Sequence, residues 1–251
     1  MTPLEEPRVS LVIPVKNEGD AITACLERIT ESVTLPLEVL VVYDDEADTT
    51  LAPLEKFVAS DPRVLPVPNT YGPGPAQAIQ CGIDAARAPV MIVTMADGSD
   101  DAEQIDDLCR LVERGVVIAA ASRYMSGGQQ IGGPPLKSLL SRFAGLSLYW
   151  VARVGTRDAT NSFKAYSTRF VRDVGVESAS GFEVGIELVA KARRLRLPVA
   201  ELPTIWLERA HGTSNFKMLR WLPRYFKWYR FAFGPRLTMD QVASTGRTTR
   251  T

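Results

Sequence analysis

At 251 residues and 45% apolar content, the chain can bury one sizeable core, and no window approaches the roughly 18 apolar residues of a membrane-spanning helix. The N-terminal MTPLEEPRVS has neither a basic nor an apolar region, which argues against a signal peptide, and Cys25, Cys81 and Cys109 are too far apart to read as a disulfide or zinc set, so a cytoplasmic protein is expected. The net charge of +0 hides a division: residues 1–120 hold 8 Lys/Arg against 21 Asp/Glu (−13), and residues 121–251 hold 21 against 8 (+13).

In chain order, apolar and β-branched runs occupy residues 10–15, 38–43, 64–67, 90–95 and 116–121. Helical patterns fill the intervals at 20–32, 49–59, 75–86 and 101–113. Strands alternating with helices at this spacing predict an α/β fold, a mostly parallel central sheet with helices on both faces. Such sheets bind ligands beyond the carboxyl ends of their strands. Polar sequences stand there: PVKNEGD after the first strand, YDDEADTT after the second and MADGSDD after the fourth. The first turn lacks GxGxxG, which disfavours a dinucleotide. Gly72 and Gly74 in NTYGPGPAQA either let the backbone pass close to a ligand or simply make a tight loop. Residues 125–135 read as a mobile loop and 237–251 as a disordered tail.

MADGSDD poses the central question. Asp100 with Glu103 matches a capping box, a bland role for an acid. Asp97 has no such role, and a carboxylate at the end of a buried strand is costly unless compensated. A hard divalent cation shared with a substrate diphosphate would compensate it. A cap for Asp100 and a metal for Asp97 are the paired expectations.

The ordered series VSLVIPVKNE, VLVVYDDEADTT, the glycine loop before AIQCGIDAA, VTMADGSDD, ASRYMSGG, DATNSFKAY, GFEVGIEL, AELP and ERAHGTSNFK resembles the family 2 glycosyltransferases with a GT-A fold. Within them it is most similar to the dolichol-phosphate mannose synthase group, which transfers sugar to polyprenyl phosphates. The resemblance implies that Pro14, Lys16, Asn17 and Glu18 form the first nucleotide-contacting turn. Asp44 or Asp45 contacts the nucleoside, with Asp44 preferred by register, and Gly74 belongs to the same binding side. Asp97 matches the second acid of the DxD motif, and Ser99 the polar position two residues later, so both are expected around Mg²⁺ or Mn²⁺. Met95 departs from the pattern where the first acid is expected. On the basic side the resemblance assigns Arg123, Arg142, Arg209 and Ser214 to the acceptor phosphate. Asp158 and Glu187 match acids near the active centre, with Asp158 organising the acceptor side. His211 in the Arg209 loop is read as structural.

Residues 217–234, KMLRWLPRYFKWYRFAFG, place Lys217, Arg220, Arg224 and Lys227 along one helical face beside Trp, Tyr and Phe. That pattern describes an amphipathic helix lying in a membrane interface, with packing on the domain or on a second subunit of a homo-oligomer as the alternative. The domain reading is a GT-A unit at 1–216, a basic–aromatic interfacial helix at 217–236 and the tail at 237–251. The functional expectation is an inverting, metal-dependent hexosyltransferase. It would carry sugar from a nucleotide-sugar donor, of the GDP-mannose or UDP-glucose type, to a polyprenyl phosphate acceptor. Its place would be peripheral, on the inner face of the cell membrane, with no nucleic-acid partner. The competing readings are a glycosyltransferase with a soluble or glycan acceptor, and a non-catalytic nucleotide- or lipid-binding module with a degenerate metal site.

Overall fold

The computed structural model describes residues 5–179, 181–208 and 218–247. The strands are β1 (Val9–Pro14), β2 (Leu37–Tyr43), β3 (Val64–Pro68), β4 (Val90–Val93), β5 (Ile118–Ser122), β6 (Gln129–Ile131), β7 (Lys164–Ser167), β8 (Val199–Pro203) and β9 (Ile205–Leu207). The helices are α1 (Ala21–Ser32), α2 (Leu51–Ser60), α3 (Pro75–Ala85), α4 (Ile105–Glu113), α5 (Pro135–Ser147), α6 (Thr168–Val174), α7 (Val184–Leu195), α8 (Met218–Ala232) and α9 (Met239–Arg247).

The main sheet runs β3-β2-β1-β4-β7-β5-β8. Only β7 is antiparallel to its neighbours, β4 and β5; every other pairing in this sheet is parallel. Because successive side chains on a strand point to opposite faces, β1 and β2 divide their apolar residues between two cores. Val12, Leu40 and Val42 join the layer under α3, α6, α7 and α8. Leu11, Ile13, Val39 and Val41 join the layer formed with α1 and α4. At Gly82 on α3 a β-carbon would collide with Val12, so that glycine seats the helix against the sheet.

Two sequence expectations are corrected. Residues 125–135 contain β6, which pairs in parallel with β9 in a two-stranded ribbon. The tail read as disordered at 237–251 contains α9, and its Val242 is fully buried. The physical reason is a reciprocal cap. Thr238 N donates to Gln241 Oε1 (3.0 Å), and Gln241 N donates to Thr238 Oγ1 (3.4 Å). Leu237 before the cap and Val242 after it pack in the same apolar cluster, a hydrophobic staple.

The basic–aromatic segment forms α8 with Pro223 inside it. Trp228 and Ala232 are buried, and Trp228 Nε1 donates to Ser178 Oγ (3.1 Å). One face of α8 therefore packs on the domain, while Leu222, Phe226 and, just beyond its end, Phe233 are exposed. α5 and the π-helical turn Leu148–Ala152 that follows it lie alongside, with the Ser147 and Tyr229 hydroxyls 3.0 Å apart. A β-carbon on Gly145 of α5 would collide with the Arg157 carbonyl oxygen, so this helix rests directly on the backbone leading to Asp158.

Candidate active site

The turns after β1 and β2 are stitched together. Asn17, in the left-handed region at φ 56°, donates its backbone N–H to both oxygens of Asp48 (2.9 and 3.0 Å). Glu18 N donates to Thr50 Oγ1 (3.0 Å), and Thr49 N donates to Asn17 Oδ1 (3.2 Å). Asp48 is buried, and sequence reasoning passed over it; its signal was an acid two residues before a Thr in DDEADTT. Lys16 and Asn17 are exposed.

Of the two acids left open by the sequence, Asp44 faces the glycine loop. Its Oδ1 accepts from Asn69 Nδ2 (2.7 Å) and its Oδ2 from Gly74 N (2.9 Å). Gly72 and Gly74 adopt φ values of 101° and 127°, which an L-side chain rarely tolerates, and this is why glycine stands there. Asp45 instead caps its own turn through Ala47 N (2.9 Å).

After β4, Asp97 accepts from Ser99 N (3.0 Å). Asp100 does not cap the next helix. It is buried and accepts from Thr94 Oγ1 (3.0 Å) and Met95 N (3.1 Å). Asp101 makes the cap, accepting from Glu103 N (3.2 Å), because the chain turns one residue later than the S/T-x-x-E pattern suggested. Burial pushes the Asp100 carboxyl up to about 6, and the charge of nearby Asp97 adds to that. Arg28 of α1, unnoticed in the sequence, clamps this turn through the carbonyls of Gly98 (2.7 Å) and Asp100 (3.1 Å).

Met95, Asp97, Ser99 and Asp100 line a cavity of about 330 Å³. Two carboxylates and a hydroxyl suit a hard cation, and their mutual repulsion would be relieved by one. The Met95 thioether is too soft to contribute. Among the described residues no three His, Cys, Asp or Glu side chains form a closed metal cage, so a cation here would share its remaining positions with water or substrate phosphates.

Arg123 lines the same cavity, within reach of the Asp100 charge. Asp158, fully buried, accepts from Arg123 Nε (2.7 Å), Nη2 (2.9 Å) and N (3.1 Å). Burial alone would lower the Arg123 guanidinium, but the Asp158 charge outweighs it and holds the group above its ordinary value. Burial likewise works against Asp158 ionising, and Arg123 more than offsets it, keeping the carboxyl below the usual range. Arg123 Nη1 makes no hydrogen bond among the described residues, which leaves one edge of the fork open to a phosphate. Phe182, Trp206, Leu222 and Tyr225 give the cavity an apolar wall.

The structure thus brings Asp97, Ser99 and Arg123 into one cavity, with Asp158 beneath. Pro14, Lys16, Asn17, Glu18, Asp44 and Gly74 do not line it; they sit at the neighbouring strand ends. Arg142 is exposed on α5 and is not among its walls, although Ser141 and Ala144 are. Arg209, His211 and Ser214 lie outside the described residues. Glu187 belongs elsewhere. Fully buried, it accepts from Lys191 Nζ (2.7 Å), Glu177 N (2.7 Å) and Ser178 N (2.9 Å), and so it holds α7 to the preceding loop.

The family model for glycosyl transferase family 2 matches residues 10–175, from β1 through α6. The chain belongs to glycosyl transferase family 2. It is therefore a glycosyltransferase. Polyprenol monophosphomannose synthase of Mycolicibacterium smegmatis is 28% identical over 214 residues, 83% of this chain and 80% of that protein. Undecaprenyl-phosphate mannosyltransferase of Micrococcus luteus is 29% identical over 215 residues, 83% of this chain and 87% of that one. Dolichol-phosphate mannosyltransferase of Pyrococcus furiosus is 28% identical over 88% of this chain, which spans only 64% of that protein's length. Among solved structures, glucosyl-3-phosphoglycerate synthase from Mycobacterium tuberculosis with Mn²⁺, UDP and glucosyl-3-phosphoglycerate has a TM-score of 0.66 at 18% identity, covering 92% of this chain and 82% of its own. A mannosyltransferase from Pyrobaculum calidifontis with GDP-Man and Mn²⁺ has a TM-score of 0.61 at 16% identity, covering 98% and 75%. These two likenesses establish the GT-A fold.

Proposed function

We propose that the protein is an inverting glycosyltransferase that carries a sugar, mannose first among the candidates, from a nucleotide diphosphate donor to a polyprenyl phosphate. The observation that carries this reading is one cavity lined together by carboxylates, by Arg123 with an open edge and by an apolar wall. The names of the three mannosyltransferase relatives support the sugar and the lipid phosphate.

Asp97 and Ser99 would hold a divalent cation, Mg²⁺ or Mn²⁺, which supplies Lewis-acid stabilisation of the departing diphosphate. The turns at Pro14–Glu18 and Asp44–Gly74 cradle the nucleotide beside it. Arg123, oriented by Asp158, grips the acceptor phosphate, with Arg142, Arg209 and Ser214 as its proposed helpers. A phosphate oxygen forms the new bond to the anomeric carbon from the face opposite the leaving group. The bond from that carbon to the diphosphate oxygen breaks, and its electron pair leaves with the nucleoside diphosphate. The acceptor is already anionic at neutral pH, so no general base has to remove a proton.

The membrane contact is proposed to be peripheral and on the inner face. No helix among the described residues is long and apolar enough to cross a bilayer. Leu136, Leu139, Leu140 and Phe143 of α5, Trp150 and Val151 of the π turn, and Leu222, Phe226 and Phe233 are 40–69% exposed. Segments 135–157 and 218–236 around them contain Lys and Arg but neither Asp nor Glu. Apolar side chains in segments that carry cations and no acids suit an anionic lipid surface.

The test is incubation of the full chain with labelled GDP-mannose, UDP-glucose and related donors, a polyprenyl phosphate, and Mn²⁺ or a chelator. Label should enter the organic phase only with metal, and Asp97→Asn should lower that transfer at least ~100-fold, the scale on which a lost charge-stabilising group acts, while folding stays intact. Label appearing only on a water-soluble acceptor would replace the lipid reading. Near-normal turnover by Asp97→Asn would remove Asp97 from the chemistry.

A further inference from the structure

Among the described residues two lysines are fully buried, and their surroundings differ. Lys191 Nζ meets Glu187 (2.7 Å), Glu177 (3.1 Å), and the carbonyls of Gly175 (2.9 Å) and Val174 (3.3 Å). Those partners satisfy an ammonium with three donors. Lys164, on β7, donates to the Asn161 carbonyl and forms no ion pair among the described residues. An ammonium buried with one acceptor and no counter-ion is unfavourable, so the neutral amine is preferred.

We propose that Lys164 is a proton-accepting positioning residue beneath the acceptor site, neutral in the empty protein and protonated when a phosphate monoester docks on Arg123. This rests on the acceptor reading given above. Its geometry comes from three neighbours. Asn161, the hydrogen-bond partner of Lys164, lines the cavity. Asp158 and Arg123, which holds the open edge, are the charges that act on it most strongly, Asp158 favouring the cation and Arg123 opposing it, with Asp100 after β4 a weaker favourable charge. Gly185 at the start of α7 comes so near that a β-carbon there would lie 3.6 Å from Nζ.

No other charge is paired with Lys164 among the described residues. The β7 neighbours in register, Val93 and Ala120, are apolar. On α7, Glu187 and Lys191 are paired with each other, and the buried Glu183, just before the helix, lies two residues from Gly185. α4 lies against the opposite face of the sheet, where Phe163 and Ala165 point. Burial holds the amine down to about 7, within reach of a nearby anion. A docking phosphate brings negative charge against Arg123, cancels the opposition Arg123 offers to a proton on Lys164, and raises that amine. Once protonated, Lys164 shares the Asp158 charge and leaves Arg123 freer to hold the phosphate.

The experiment is calorimetry of farnesyl phosphate binding to the full chain, without donor or metal, at pH 7.5 in two buffers of different ionisation heat. Wild type should take up about half a proton more than Lys164→Arg, which stays charged, and Lys164→Met, which has nothing to protonate. Lys164→Arg should keep most of the affinity and Lys164→Met should lose it about tenfold, the scale of one charge–charge contact at a partly buried site. The ligand's own second ionisation, near pH 6, is common to all three proteins and cancels. If the variants do not fold, the wild-type profile decides: uptake should persist between pH 7 and 8.5, above the ligand's own range. Binding with equal proton uptake in all three, or none above pH 7 in wild type, overturns the proposal. Absence of any binding heat with wild type overturns the acceptor reading itself.

Discussion

The carboxylate turn and the arginine pair are built by opposite means. In the turn after β4, and in the turns beside it, backbone N–H groups hold the acids: Ser99 N on Asp97, Met95 N (with the Thr94 hydroxyl) on Asp100, and, outside the cavity lining, Asn17 N on Asp48. Around the arginine, side chains hold side chains across long sequence separations, Arg123 with Asp158 and, outside the cavity lining, Arg157 with Glu201. A backbone-held acid stays in place when a neighbour is changed. A pair of buried side chains does not, because removing one partner strands the other. Changes in the carboxylate turn should therefore cost activity without stability, and changes in the arginine pair should cost both.

Arg123→Ala tests this most severely. It should lower kcat/KM for the lipid phosphate at least ~1,000-fold and destabilise the fold by about 3–5 kcal/mol, since Asp158 is left as a buried unpaired charge. Steady-state rates and urea unfolding measure the two losses. Arg123→Ala with Asp158→Asn should regain stability but not activity; recovery of both would mean that the pair is architectural only.

The exposed apolar surface comes next. Phe143→Glu with Trp150→Glu should weaken binding to anionic vesicles by at least ~10-fold, from the loss of two buried aromatics worth roughly 1.5–3 kcal/mol each. Turnover of a short, water-soluble prenyl phosphate should change less than about twofold. Unchanged sedimentation with vesicles would move the lipid contact elsewhere.

A smaller effect follows from Lys164. Its folded-state value of about 7 lies below its ordinary 10.5, so between these limits the unfolded chain binds more protons and stability rises with pH. The gain should be about 1 kcal/mol per unit above pH 7, with a limit of about 1.4. Above pH 9 the burial-raised thiols of Cys25 and Cys109, both pushed up to about 12, act in the opposite sense. Denaturant curves from pH 7 to 9 should show the rise in wild type and lack it in Lys164→Met.

Thr238→Ala should cost the least, about 1 kcal/mol from the lost cap, with transfer activity untouched. A change in kcat would tie α9 to the site.

The same contrast governs what the sequence reveals. From β1 to β4 the apolar period changes from strand to helix every dozen residues, and the polar turns follow each strand, so both the elements and Asp97 are visible in order. β7 has only four residues and inserts antiparallel between β4 and β5, an arrangement decided by partners far along the chain. β6 and β9 are three residues each and stabilise one another across the intervening domain, which is why glycine content alone suggested a mobile loop. Asp100 and Asp101 differ by one position, yet only the path of the turn decides which is buried and which caps. Arg123 was readable as a motif residue, whereas its dependence on Asp158 needed the fold to bring residues 35 apart into contact. Thr238–Gln241 carried a legible cap signal that tail composition overshadowed.

The missing side chain at Gly145 makes a mechanical joint. The helix bearing the outward-facing leucines and phenylalanine sits flush on the peptide just before Asp158, and the Ser141 hydroxyl, 2.6 Å from that of Thr160, fastens it a second time. Tilting that helix by even a small angle must drag the aspartate, and with it the guanidinium it steers. Position 145 is thus a fulcrum: a methyl group added there would touch neither lipid nor sugar, yet it would misalign the grip on one by displacing the platform for the other.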